Sequence, residues 1–198
     1  MSFNYPLDLS FKVISFGPQI RVTDSTGNMI FYVKQKALKL KEAVSVFSDE
    51  SQTQTLYTIS ADRIIDFSAR FRFADAAGNP LGSVKRRGMA SLWRSHYDIF
   101  VGDEEVAPHN IQEENVAIRL ADGCVNNIPI VGLFAGYFFN PTYLVSRSDG
   151  TVVMKLIKQP SFFEGKFKLE KTMELDELEE TRILLSLMMM TLMERTRG

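Results

Sequence analysis

The sequence is short of the groups that most site chemistry needs. Among 198 residues there is one cysteine, Cys124, and two histidines, His96 and His109, and the formal net charge is −1. One thiol excludes an intramolecular disulfide and any multi-cysteine zinc site, and it fits a reducing compartment. A net charge near zero removes the global electrostatic case for a nucleic-acid partner, so none is expected. No phosphate-binding glycine loop, dinucleotide fingerprint or nucleophile elbow occurs. Neither histidine has an acidic neighbour at metal-ligand spacing, so both read as ordinary surface or strand residues. Cys124 lacks a histidine at recognisable spacing and reads as a buried or loop thiol rather than a nucleophile. The carboxylates Asp103, Glu104, Glu105, Glu113 and Glu114 do not follow a calcium-loop pattern and read as a solvated loop around Pro108. No catalytic residue, metal ligand or cofactor is assigned, and the chain is expected not to be an enzyme. The opening Met1-Ser2-Phe3-Asn4-Tyr5-Pro6 lacks the basic-then-apolar order of a secretory signal. A cytoplasmic protein is expected, at most peripheral to a membrane.

What is present is ordinary globular material, 45% hydrophobic and 24% charged. No linker or low-complexity stretch interrupts it, so one domain over residues 1–198 is expected. Most of the chain reads as short strands: residues 11–16, 19–23, 43–47, 56–59, 71–73, 115–120, 142–145 and 151–157. Turn-forming residues separate them at 24–28, 75–79 and 148–150. An internal echo supports hairpins. Asp24 precedes Gly27 by three and Lys34 follows it by seven; Asp75, Gly78 and Lys85 repeat that spacing. A looser third copy runs through Ser146-Arg147-Ser148-Asp149-Gly150. Glycine supplies positive φ at such turns, and aspartate or asparagine caps them with side-chain hydrogen bonds.

Residues 183–193 break the pattern. They read Ile, Leu, Leu, Ser, Leu, Met, Met, Met, Thr, Leu, Met, apolar on every face of a helix rather than along one stripe. Such a helix belongs in a protein core or a bilayer, and length decides between them. Eleven residues rise about 16 Å, whereas a bilayer core of about 30 Å needs about 20 residues. Arg182 and Glu180 lie before the run, and Glu194 and Arg195 follow it. A buried helix over about 176–195 is expected, opened by Asp176, Glu177, Glu179 and Glu180, acids that suit a helix N-terminus.

Basic residues are the most suggestive feature. Lys34 and Lys36 alternate, as do Lys39 and Lys41. Lys85, Arg86, Arg87 and Arg94 form a second group beside Trp93. Alternate strand residues share a face, and a tryptophan beside arginine suits a lipid–water interface. The competing reading is a solvated strand face that protects an edge.

Several segments together resemble the LURP-one-related family. They are Tyr32-Val33-Lys34-Gln35-Lys36, Leu38-Lys39-Leu40-Lys41-Glu42 and Leu56-Tyr57-Thr58-Ile59. Residues 71–78, then Leu81-Gly82-Ser83-Val84-Lys85-Arg86-Arg87, and the terminal apolar helix complete the set. That group is similar to the C-terminal domain of Tubby proteins and to phospholipid scramblases. The resemblance implies a mainly β protein, a closed antiparallel barrel of about twelve strands around a central hydrophobic C-terminal helix. It also implies a phosphoinositide- or membrane-binding role through basic residues, and no enzyme chemistry. The chain departs from the scramblase pattern before the helix. An acidic calcium segment belongs there, but Gly165-Lys166-Phe167-Lys168-Leu169-Glu170-Lys171 is mostly basic. The expected function is a non-enzymatic barrel that binds anionic phospholipid headgroups or a membrane surface. Lys34, Lys36, Lys85, Arg86, Arg87 and Arg94 are the candidate contacts. The alternative is a protein-interaction scaffold, suggested by the apolar stretch 128–139. A hydrolase reading would need a polar pocket with convergent acid and base groups.

Overall fold

The computed structural model describes residues 3–14, 17–34, 43–62, 69–87, 95–102, 104–114, 141–161 and 165–195. Twelve strands run in chain order: β1 (Leu7–Ile14), β2 (Gly17–Thr23), β3 (Met29–Lys34), β4 (Val44–Phe47), β5 (Thr55–Ala61) and β6 (Arg70–Asp75) make the first half. The second half is β7 (Pro80–Arg86), β8 (His96–Phe100), β9 (His109–Glu113), β10 (Thr142–Arg147), β11 (Val152–Gln159) and β12 (Gly165–Lys171). One helix follows, α1 (Glu177–Arg195). Each strand pairs antiparallel with its neighbours in sequence, and β1 pairs with β12, so the sheet closes into a barrel. The expected fold class and helix are both present. The strand expected at 115–120, Cys124 and the apolar stretch 128–139 lie outside the described residues. Glu113, expected in a loop, closes β9 instead.

Alternation explains the wall. Leu9 faces Val22 and Phe11 faces Ile20 across β1 and β2, and all four are buried. Ser10, Lys12, Gln19 and Arg21 between them take the opposite, outer face. Inside, α1 is the plug. Residues 181–192 are buried without a break, so no side of the helix meets water. Two of its three buried hydroxyls are satisfied by the helix itself: Ser186 Oγ donates to the Arg182 carbonyl at 2.8 Å and Thr191 Oγ1 to the Leu187 carbonyl at 2.8 Å. That removes the cost of burying a polar group in an apolar core. No described helix is long and apolar enough to cross a membrane.

The hairpin echo has one geometry. Gly27 donates to the Asp24 carbonyl at 3.0 Å, and Asp24 donates to that of Asn28 at 2.9 Å. Gly78 and Asp75 make the same pair of bonds with Asp75 and Asn79. Both glycines have positive φ, 86° and 87°, which a side chain would resist. The Asp24 carboxylate also accepts from the backbone of Thr26 and Asn28, and that of Asp75 from Ala77 and Asn79. The third copy makes the same bonds, Gly150 donating to the Arg147 carbonyl and Arg147 to that of Thr151, both at 2.9 Å, so Arg147 holds the place of Asp24 and Asp75. This puts an arginine side chain at the end of the barrel where α1 begins, here called the mouth.

Candidate functional site

The echo fixes the heights of two expected contacts. Lys34 and Lys85 follow their turns at equal spacing, and both take the outer face of the wall. They do not converge, because β3 and β7 are four strands apart, ~19 Å along the wall at ~4.8 Å per strand. Lys34 lies across Gln19 of β2 from Lys12 of β1. Lys85 lies between Arg70 of β6 and Asp98 of β8 in direct register.

Around Lys85 the outer face is basic. Arg72 is the next outward residue of β6, and Arg87 follows Lys85 by two. Arg70 places its guanidinium 4.0 Å from the centre of the Phe100 ring, an arrangement that holds it against the wall. Arg87 Nε donates to Asp98 Oδ2 at 2.9 Å. Four cations therefore occupy a patch on two adjacent strands, β6 and the end of β7, with Asp98 of β8 beside it and Asp62 at its edge, where Asp62 accepts from the Arg70 backbone at 3.0 Å. Arg70 and Arg72 were not singled out in the sequence; strand register is what brings them to Lys85.

Arg86 is a correction. It was expected on the outer face, yet alternation turns it inward, and it is 7% exposed. Its guanidinium lies over the Tyr97 ring and 3.8 Å from Glu194 near the end of α1. Tyr97 donates to that same Glu194 carboxylate. Burial, then the bond to Glu194, pushes the Tyr97 hydroxyl above its ordinary range. This network ties the last turn of the helix to β7 and β8 and leaves Arg86 out of reach of an external headgroup. Lys36 and Arg94, with Trp93, Lys39 and Lys41, lie outside the described residues.

A second cluster carries no sequence signal. At the mouth, His109 of β9 sits 2.7 Å from Glu179 in the first turn of α1, seventy residues away. Arg147, which holds the turn position of Asp24 and Asp75, donates to both Glu179 oxygens at 3.1 and 3.3 Å. Arg182 Nε donates to the Leu81 carbonyl at 2.7 Å. Asp176 caps the helix by accepting from the Glu179 backbone at 2.8 Å. Desolvation lowers the pKa of His109 from its ordinary 6.5 and outweighs the opposing pull of Glu179. These groups line a cavity of about 360 Å³ with Val101, Pro108, Ser148 and Asp149. His109 was expected to be an ordinary strand or surface residue without an acidic partner. It is a strand residue, but a buried and paired one. Among the described residues no group of three or more His, Cys, Asp or Glu side chains is arranged to hold a metal ion.

Comparison with known proteins agrees with the architecture. The LURP-one-related family matches residues 29–177. No curated protein matches the chain. An X-ray structure of a protein from Arabidopsis thaliana superposes with a TM-score of 0.52 at 14% identity, over 97% of this chain and 93% of that one. At that identity the likeness shows a shared fold.

Proposed function

Because the chain belongs to the LURP-one-related family, and its barrel interior is filled by its own helix, we propose that it is a non-enzymatic module binding anionic phospholipid headgroups on a membrane surface. Arg70, Arg72, Lys85 and Arg87 are the contacts. The observation that supports this reading is their convergence on the outer face of β6 and β7. A filled barrel has little internal room for a ligand, so recognition falls to the outside. Four cations against two carboxylates leave the patch positive. Each basic residue near an anionic leaflet contributes about 1 kcal/mol, and a guanidinium meets phosphate oxygens in a bidentate fork.

The test is co-sedimentation with phosphatidylcholine vesicles and with vesicles containing a phosphorylated phosphatidylinositol. Binding to the second set, weakening as salt rises, is expected. The triple substitution Arg72→Gln, Lys85→Gln and Arg87→Gln removes about 3 kcal/mol and lowers partitioning roughly 100-fold. Equal binding to both vesicle types, or a triple variant that binds like the parent, refutes the reading.

A further inference from the structure

Charge is sorted along the barrel axis. Each strand runs antiparallel to the next, so every second connection falls at the mouth. The turns and connections there cover residues 24–28, 48–54, 75–79, 101–108, 148–151 and 172–176. All six carry at least one carboxylate, and their described residues include no lysine or arginine. Three cations do sit at this end, and each is engaged: Arg147 with Glu179, Lys171 with Glu174 and Glu180, and Arg182 with the Leu81 carbonyl. The mouth end is therefore acidic.

The opposite end is basic. Strands that finish or begin there carry Lys12 in β1, Lys34 in β3, Arg70 in β6, Lys85 in β7 and Lys166 in β12, with Arg87 one residue beyond β7. Alternation places all of them on the outer face. The carboxylates described on the outside of this end are Asp62, Asp98, Glu113 and Glu114, which belong to the β5 to β9 side. On the other side the neighbours in register are neutral: Gln19 lies beside Lys12 and Lys34, and Ser10 and Gln159 lie beside Lys166. Glu50 reaches down the wall to Arg21, within range of Lys12.

Position round the ring decides what can touch these cations together. β12 is six strands from β6, and β1 is six from β7, half-way round a ring of twelve. Lys12 and Lys166 are therefore across the barrel from Arg70, Lys85 and Arg87. A flat surface laid along the β6–β7 side meets only the second set. A flat surface across the basic end meets both. Strands of about seven residues at ~3.3 Å each, tilted by ~40°, make the wall about 18 Å tall. That is about two Debye lengths at physiological salt, so the acidic mouth is screened from a surface at the other end.

We propose that the protein stands on an anionic bilayer by its basic end, with the barrel axis along the membrane normal and the mouth turned away. This rests on the headgroup-binding reading and deepens it, because Lys12, Lys34 and Lys166 join the contacts on β6 and β7. The charge of a leaflet lies in a plane, as the charge of this rim does, and the acidic mouth orients the approach.

The probe is phosphatidylcholine vesicles containing a phosphorylated phosphatidylinositol. A fluorophore is attached to the full chain in a Cys124→Ser background at one of two exposed positions. Ser161→Cys lies between β11 and β12 at the basic end, and Ala77→Cys lies in the β6–β7 turn at the mouth. On vesicles the label at 161 is expected to become shielded from an aqueous quencher, and the label at 77 to stay as accessible as in solution. The triple substitution Lys12→Gln, Lys34→Gln and Lys166→Gln lowers partitioning roughly 100-fold. A shielded label at 77 with an accessible one at 161, or a triple variant that binds like the parent, overturns the orientation and leaves headgroup binding standing. A parent that does not bind these vesicles refutes headgroup binding, and the orientation falls with it. Shielding at 161 that rises with protein concentration in the absence of vesicles means that the acidic mouth of a second copy covers this end, and it also overturns the proposal.

Discussion

Gly82→Ala tests how closely the plug is fitted to the wall. Gly82 lies in β7 with φ at 141°, a conformation that residues with a side chain rarely adopt. A Cβ there would fall 2.4 Å from the Phe100 carbonyl oxygen of β8, and 2.7 and 2.8 Å from Arg182 Cδ and Nε. Two costs follow. The backbone strain is about 1–3 kcal/mol. Moving Arg182 aside breaks its charged bond to the Leu81 carbonyl, about 1.5–3 kcal/mol. Together they come to about 2.5–6 kcal/mol, a large share of the ~5–15 kcal/mol that holds a domain folded. The melting temperature falls by roughly 5–24 °C for a chain of this size. Urea unfolding with an unchanged slope measures the difference directly. Gly78→Ala is the control. It has φ at 87° but nothing within 4 Å of a new Cβ, so it carries conformational strain alone. A double-mutant cycle with Arg182→Met divides the clash: strong non-additivity assigns it to Arg182, and additivity assigns it to the Phe100 carbonyl. A loss below about 1 kcal/mol for Gly82→Ala, or one equal to that of Gly78→Ala, would show that the helix and wall are not in register as described.

Met190→Asp and Leu187→Asp each bury an unpaired carboxylate at a position at most 1% exposed, so the domain loses its cooperative melt; a near-parental thermal transition in either variant refutes the plug. His109 makes stability depend on pH. Its pKa is depressed in the fold, so the unfolded chain takes up the proton first. The contribution is therefore whole above about 6.5 and declines as pH falls below that value toward the lower folded pKa. His96 is shifted in the same direction, so the comparison is between the parent and His109→Gln: the variant shows a shallower loss between pH 6.5 and 5 in urea titrations, and identical slopes refute the assignment.

What could be read from the sequence divides by the range of the interaction. The apolar run 183–193 marked itself as core because coverage of every helical face is a local property. The turns at Gly27 and Gly78 were legible for the same reason, since the glycine and its capping aspartate lie within four residues. The third turn keeps the spacing, with Arg147 three residues before Gly150, but not the aspartate, so it reads as a looser copy although its backbone bonds are the same. The inward turn of Arg86 was implicit in alternation, because Lys85 and Arg87 cannot share a face with the residue between them. Strand β12 carries two signals at once, since Lys-Phe-Lys-Leu-Glu-Lys is a basic stretch by charge and a strand by alternation. The contact of His109 with Glu179 was beyond reach: seventy residues separate them, and nothing near either one names the other. The addition of Arg70 and Arg72 to the Lys85 patch likewise depends on register between strands.

The seam between β1 and β12 has a consequence for biosynthesis. It joins Leu7 to Leu169 and Phe11 to Gly165, and the plug that fills the barrel lies beyond it in the chain. A ribosome making this protein releases the wall strand by strand, yet the ring cannot shut until residue 171 has emerged. The apolar interior stays uncovered until α1 follows. Contacts this far apart in sequence close slowly, and a chain held open this long shows hydrophobic strand faces to its neighbours. The same connectivity that gives the finished barrel no free edge keeps an open one on the nascent chain until β12 has been made.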